Sequence, residues 1–108
     1  MTLIELATTI GDILTEIDTR LQTPGLSDAD WQTLYALRKH LDDQQRALIE
    51  ENIKEEDATF QALTSKISDA SNKLASIISD LTKVGNVIST VSQIAADVDQ
   101  VLKLVAAA

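Results

Sequence analysis

From Phe60 to Val105, apolar residues occupy every position of an alternating three/four spacing. One set is Phe60, Ile67, Leu74, Leu81, Ile88, Ala95 and Leu102, and the other is Leu63, Ala70, Ile77, Val84, Val91, Val98 and Val105. In a chain that is 44% hydrophobic, chance fills all fourteen positions on the order of once in 100,000 trials. A period of roughly 3.5 residues is the signature of helices packed along a seam. The predicted fold is therefore all-α, an elongated antiparallel helical hairpin or three-helix bundle with a long coiled-coil-like seam. Apart from Ala70, Ala95 and Val105, these side chains are its expected core or interface.

After Val84 the stripe widens. Val87, Ile94 and Val101 add a third apolar position in seven where a two-stranded coiled coil would carry charge. The opposite face, with Ser65, Asn72, Ser79, Asn86, Gln93 and Gln100, is polar and uncharged. The widened apolar face of Val87, Ile94 and Val101 suits packing against at least two neighbouring helices, a partner protein or a membrane surface.

The first half reads as a hairpin. Helix 1 is expected over about 2–22, with Leu3, Leu6, Ala7, Ile10, Ile13, Leu14, Ile17 and Leu21 forming its stripe. Thr23-Pro24-Gly25 breaks it, because Pro disfavours helical geometry at the residue before it and Gly accepts a left-handed cap. After a turn at 23–27, Ser27 is placed to cap a helix from 28, with Asp30 in the capping-box position and Leu26 able to staple onto Trp31. Leu34, Leu37, Leu41 and Leu48 then face helix 1.

No Gly or Pro occurs between Leu26 and Val84. One reading is a single helix of about 57 residues, roughly 85 Å long. The alternative is a break near Asp57-Ala58-Thr59, where the phase of the apolar stripe changes and an acidic run suits a new N-terminus. The continuous helix is preferred, since a break lacking Gly and Pro is the rarer event. In the continuous reading the chain folds back after Gly85-Asn86, a break at 85–86 standing as the alternative to one at 57–59, and the C-terminal amphipathic helix is expected to run to about residue 106. All 108 residues form one expected domain, and circular dichroism is expected above about 75% helix.

Charge narrows the partners. The net charge is −8, and residues 1–59 account for it with thirteen acidic and five basic side chains, whereas 60–108 hold four of each. The only basic cluster is Arg38-Lys39-His40, which offers no array of Lys and Arg for a phosphate backbone, so nucleic acid is not an expected partner. Cysteine is absent, which removes disulfides and thiolate metal sites.

No catalytic constellation is legible. His40 is the only histidine and has Asp43 as its only carboxylate one turn away, short of a metal site or a base with an orienting partner. The cluster Glu50, Glu51, Glu55, Glu56 and Asp57 lacks the Gly-containing loop that calcium requires, and reads as a solvated face helped by a Glu50–Lys54 pair. Neither a glycine-rich phosphate loop nor a serine-nucleophile motif appears. The protein is expected not to be an enzyme, and no cofactor, metal or small-molecule substrate is implied.

Gly85 and Ser89 are spaced for close helix approach, though Gly85 serves equally as a kink or cap. The end Leu104-Val105-Ala106-Ala107-Ala108 is similar to the Ala-rich C-terminal tags read by bacterial proteases. Neither a basic n-region nor a stretch long enough to span a bilayer is seen, so a cytoplasmic location is expected, although leaderless secretion leaves no such mark. The expected function is a non-catalytic helical interaction or assembly module that self-associates or docks a partner helix along the seam. The alternative is a membrane-active helical protein, a pore-forming or lipid-binding component that opens its C-terminal helix onto lipid, although the few basic residues on its polar face argue against this.

Overall fold

The computed structural model describes residues 1–105, and these form an all-helical bundle. Four helices follow in order: α1 (Leu3–Gln22), α2 (Asp28–Glu50), α3 (Ala58–Ile77) and α4 (Val84–Leu102), the last preceded by a 3-10 turn at Leu81–Lys83. Helix α1 packs on α2 and α3 on α4, and the two hairpins meet through α2 on α4 and α1 on α3. The molecule measures 47 × 21 × 17 Å.

Local chemistry explains the first hairpin. Thr2 accepts a hydrogen bond from the Glu5 backbone N–H at 3.1 Å while the Glu5 carboxylate accepts from the Thr2 N–H at 3.0 Å, a complete capping box. Those bonds hold the exposed Glu5 carboxyl below its ordinary pKa. The helix stops at Gln22, with Thr23 extended before Pro24 and Gly25 at a φ of +121°. Ser27 then caps α2 by accepting from the Asp30 N–H. Trp31 is half exposed, donates its indole N–H to the Leu21 carbonyl at 3.0 Å and stacks on Tyr35, which ties the start of α2 to the end of α1.

Two expectations are corrected here. The continuous helix from 28 does not form: α2 ends at Glu50 and α3 begins at Ala58, so the described residues hold four α-helices rather than three. The break works without Gly or Pro because side chains and distant segments hold it. Ile53 is buried in the core and bridges Val105, the Lys54 N–H donates to the Leu104 carbonyl, and the Glu55 carboxylate accepts from the Leu3 N–H. Asp57 caps α3 through the Thr59 N–H at 2.7 Å. An unbroken helix of about 85 Å would leave its stripe without a neighbour over much of its length, whereas the broken chain folds back within 47 Å. With α2 finished at Glu50, the expected helical Glu50–Lys54 pair has no helix to carry it.

The second correction concerns Gly85. The chain turns earlier, at Ser79-Asp80, where the Asp80 carboxylate accepts from both the N–H and the hydroxyl of Thr82, contacts that hold its pKa below the ordinary range. Gly85 lies inside α4 with nothing within 4 Å of the place a Cβ would occupy, so it serves neither as a break nor as a point of close helix approach. Gly85→Ala is therefore expected to stabilise the protein by about 0.5–1 kcal/mol, read as a higher urea midpoint at unchanged slope. Helix α4 ends at Leu102, short of the expected 106; residues 106–108, with most of the Ala-rich tail, lie outside the described residues.

The core is almost wholly aliphatic. Leu6, Ile10, Ile13 and Ile17 from α1 meet Leu34, Leu41 and Leu48 from α2, and Phe60 is the one aromatic ring among the buried hydrophobic side chains. Across the hairpins, buried Gln44 donates to the Ala95 carbonyl at 2.9 Å and to Asp99 at 2.7 Å, which fixes the register of α2 on α4. On the surface Arg38 forms a two-pronged pair with Asp18, at 2.9 and 3.1 Å, joining α2 to α1.

Candidate functional site

The seam divides at the Ser79-Asp80 turn. Phe60, Leu63, Ile67, Leu74 and Ile77 on α3 are buried. Leu81 is 53% exposed on the 3-10 turn, and Val84, Ile88 and Leu102 are only partly buried, while Val91 and Val98 are fully enclosed. The centre of α4's packed face is the widened row itself: Val87, Ile94 and Val101 lie in the core. They meet other helices of the same bundle, so this row of α4 is not free for another surface. The turn resets the phase, because residues on its two sides share no helix axis.

Apolar surface is displayed elsewhere. Ile4 on α1 and Ile49 on α2 are the two most exposed large hydrophobic residues, at 78% and 68%. Both line one groove of about 570 Å³ on the outer side of the first hairpin, together with Leu3, Ala7, Gly11 and Gln45. The Thr2–Glu5 capping box fixes the turn of α1 that carries Ile4, and Gln45 crosses from α2 to donate to the Ala7 carbonyl at 2.9 Å. A Cβ at Gly11 would lie 3.2 Å from the Gln45 amide nitrogen, so the glycine leaves room for that crossing bond. The groove belongs to the half of the chain that carries the whole net negative charge. Sequence reading overlooked this pair because it follows the stripe, and both residues lie off it. An isoleucine on the polar face of an otherwise regular amphipathic helix was the available signal.

The carboxylate beside His40 is not the one expected. His40 Nε2 lies 3.8 Å from Asp99 of α4, held in place by Gln44, whereas Asp43 pairs with Arg46 at 3.3 Å. In the acidic run, Glu55 and Asp57 accept backbone N–H groups and so act as caps and ties. Among the described residues no three His, Asp or Glu side chains converge as metal ligands, and no helix is long and apolar enough to cross a membrane. No protein-family model matches the chain, and neither the curated proteins nor the solved structures include a significant match to it.

Proposed function

We propose that the protein is a non-catalytic helical interaction module and that its docking surface is the α1–α2 groove rather than the heptad seam. The observation that carries this reading is the placement of exposed Ile4 of α1 and Ile49 of α2 in one groove, whose lining also includes Leu3, Ala7 and Asp12. Isolated surface isoleucines are ordinary, but a pair on two helices lining one groove is the arrangement that receives the apolar side of an amphipathic helix. Charge selects the occupant. A second copy would bring another eight net negative charges, whereas a helix with Lys and Arg on its polar side is drawn to the acidic half of the chain. The occupant is thus a basic amphipathic helix of another protein.

A synthetic Leu/Lys amphipathic peptide, titrated by fluorescence anisotropy, tests this. Saturable binding is expected, weakened about thirtyfold in Ile4→Ser/Ile49→Ser, since two apolar side chains lose their buried contact while all charges remain. Equal binding by the double variant would reduce the interaction to charge attraction alone and defeat the proposal. Sedimentation of the free protein supplies a second check: a dimer that the same double variant converts to monomer would show that the groove serves a second copy instead.

A further inference from the structure

At the end of the bundle away from the chain termini, the α1–α2 turn and the segment between α3 and α4 enclose a second pocket, of about 160 Å³. Pro24, Ile78 and Leu81 form apolar walls, and Glu16 and Arg20 line the same space. Leu81 lies directly over Gly25: a Cβ there would meet its Cδ2 at 2.9 Å, and the +121° φ of Gly25 also favours glycine. The two loops are thus held together with Leu81 at the pocket's rim.

Arg20 is only 4% exposed, yet among the described residues it forms no ion pair. Its Nη1 donates to the Thr23 carbonyl at 3.3 Å, while Nη2 is enclosed without a partner. A guanidinium keeps its proton, so burial here confines a full charge that has one long hydrogen bond. Glu16, one turn earlier, does not neutralise it, and Glu16 Oε2 is also enclosed and unpartnered. Burial, reinforced by the neighbouring Asp12 charge, pushes the Glu16 carboxyl above its ordinary range. Native interiors seldom leave two such groups unsatisfied on one cavity wall.

We propose that this pocket binds a small organic anion, a carboxylate or sulfonate on a six-membered ring or short aliphatic body, with Arg20 taking the anionic group and Pro24, Ile78 and Leu81 the body. The dimensions agree, because a cavity of about 150 Å³ holds a benzene ring. The anion pairs with the guanidinium, whose one hydrogen bond among the described residues is the long one to the Thr23 carbonyl. Glu16 makes the site pH-sensitive: its neutral form donates a hydrogen bond to the ligand, and its ionised form repels it. Binding therefore strengthens as pH falls through the raised Glu16 pKa and weakens above it. The site is independent of the groove and does not rest on the proposed helix partner.

The probe is benzenesulfonate, which stays ionised across the range, titrated into the uniformly 15N-labelled full chain. Saturable shifts are expected at Thr19, Arg20, Ser79 and Leu81, including the Arg20 side-chain N–H, with tighter binding at lower pH and a flat pH profile in Glu16→Gln. Arg20→Met should bind about tenfold more weakly or worse, the loss of one charge-assisted hydrogen bond. If Arg20→Met does not fold, Leu81→Ala replaces a half-exposed side chain and should bind about threefold more weakly. Absence of saturable shifts, shifts centred on exposed lysines, parental affinity in the folded variant tested, or equal binding of uncharged benzyl alcohol would each overturn the assignment.

Discussion

Ile94→Asp is expected to unfold the protein, with a loss of about 4 kcal/mol or more set against a total stability of about 5–15 kcal/mol for a domain of this kind. Ile94 is fully enclosed in α4, between Val87 and Val101 on the same buried row. Aspartate there removes a filled volume and also confines a carboxylate in an aliphatic core. The measurement is far-UV circular dichroism with a urea titration, and most helical signal should be lost or the midpoint should fall steeply. The same substitution separates the two sequence readings of this row. A face kept for lipid would tolerate Asp in water and retain the fold, so a stably folded Ile94→Asp protein would show that Val87, Ile94 and Val101 are not core residues.

Converting the α2–α3 crossover to helix should change the assembly rather than the secondary structure. The triple variant Ile53→Ala/Glu55→Ala/Asp57→Ala removes the buried anchor, the acceptor for Leu3 N–H and the cap of α3, and leaves strong helix formers in a segment that already lacks Gly and Pro. A helix running from 28 to 77 would extend about 75 Å, too long for its hairpins to meet within one chain. The α3–α4 hairpin would then pack on the α1–α2 hairpin of another copy, an exchanged dimer with the same core contacts. Light scattering is expected to show twice the mass of the parent chain, with helix content equal or higher. A variant of parental mass would show that packing of the hairpins, not these three side chains, maintains the break.

How much of this was legible beforehand depends on how locally each feature is encoded. The all-α class, the α1 stripe, the stop at Thr23-Pro24-Gly25 and the Ser27 cap follow from residues within a turn or two of one another. Chain chemistry at that range has few alternatives, since Pro removes helical geometry and a hydroxyl at N-cap satisfies a free N–H. The Thr2–Glu5 box is encoded at the same short range. Asp57 was legible as a helix start only through the alternative break at 57–59, and Asp80 not at all, because an aspartate in a Ser-rich stretch looks no different from a solvated one.

The apolar period by itself determined that helices pack along α3 and α4, because an aliphatic stripe must be covered whatever covers it. It did not determine which neighbours do so. Phase carries across an unbroken helix and is lost across a turn, so fourteen positions in perfect register in the sequence became a buried set on α3 and a rotated set on α4 centred on Val87, Ile94 and Val101. The crossover at 51–57 was likewise a tertiary decision. Its stabilising contacts come from Leu3 and from Leu104 and Val105, about 50 residues away on either side, and no local propensity encodes bonds that exist only once both hairpins have met. The same packing decided what remained outside, Ile4 and Ile49 at the groove, and what was enclosed, Arg20 with no ion pair among the described residues where the two loops meet.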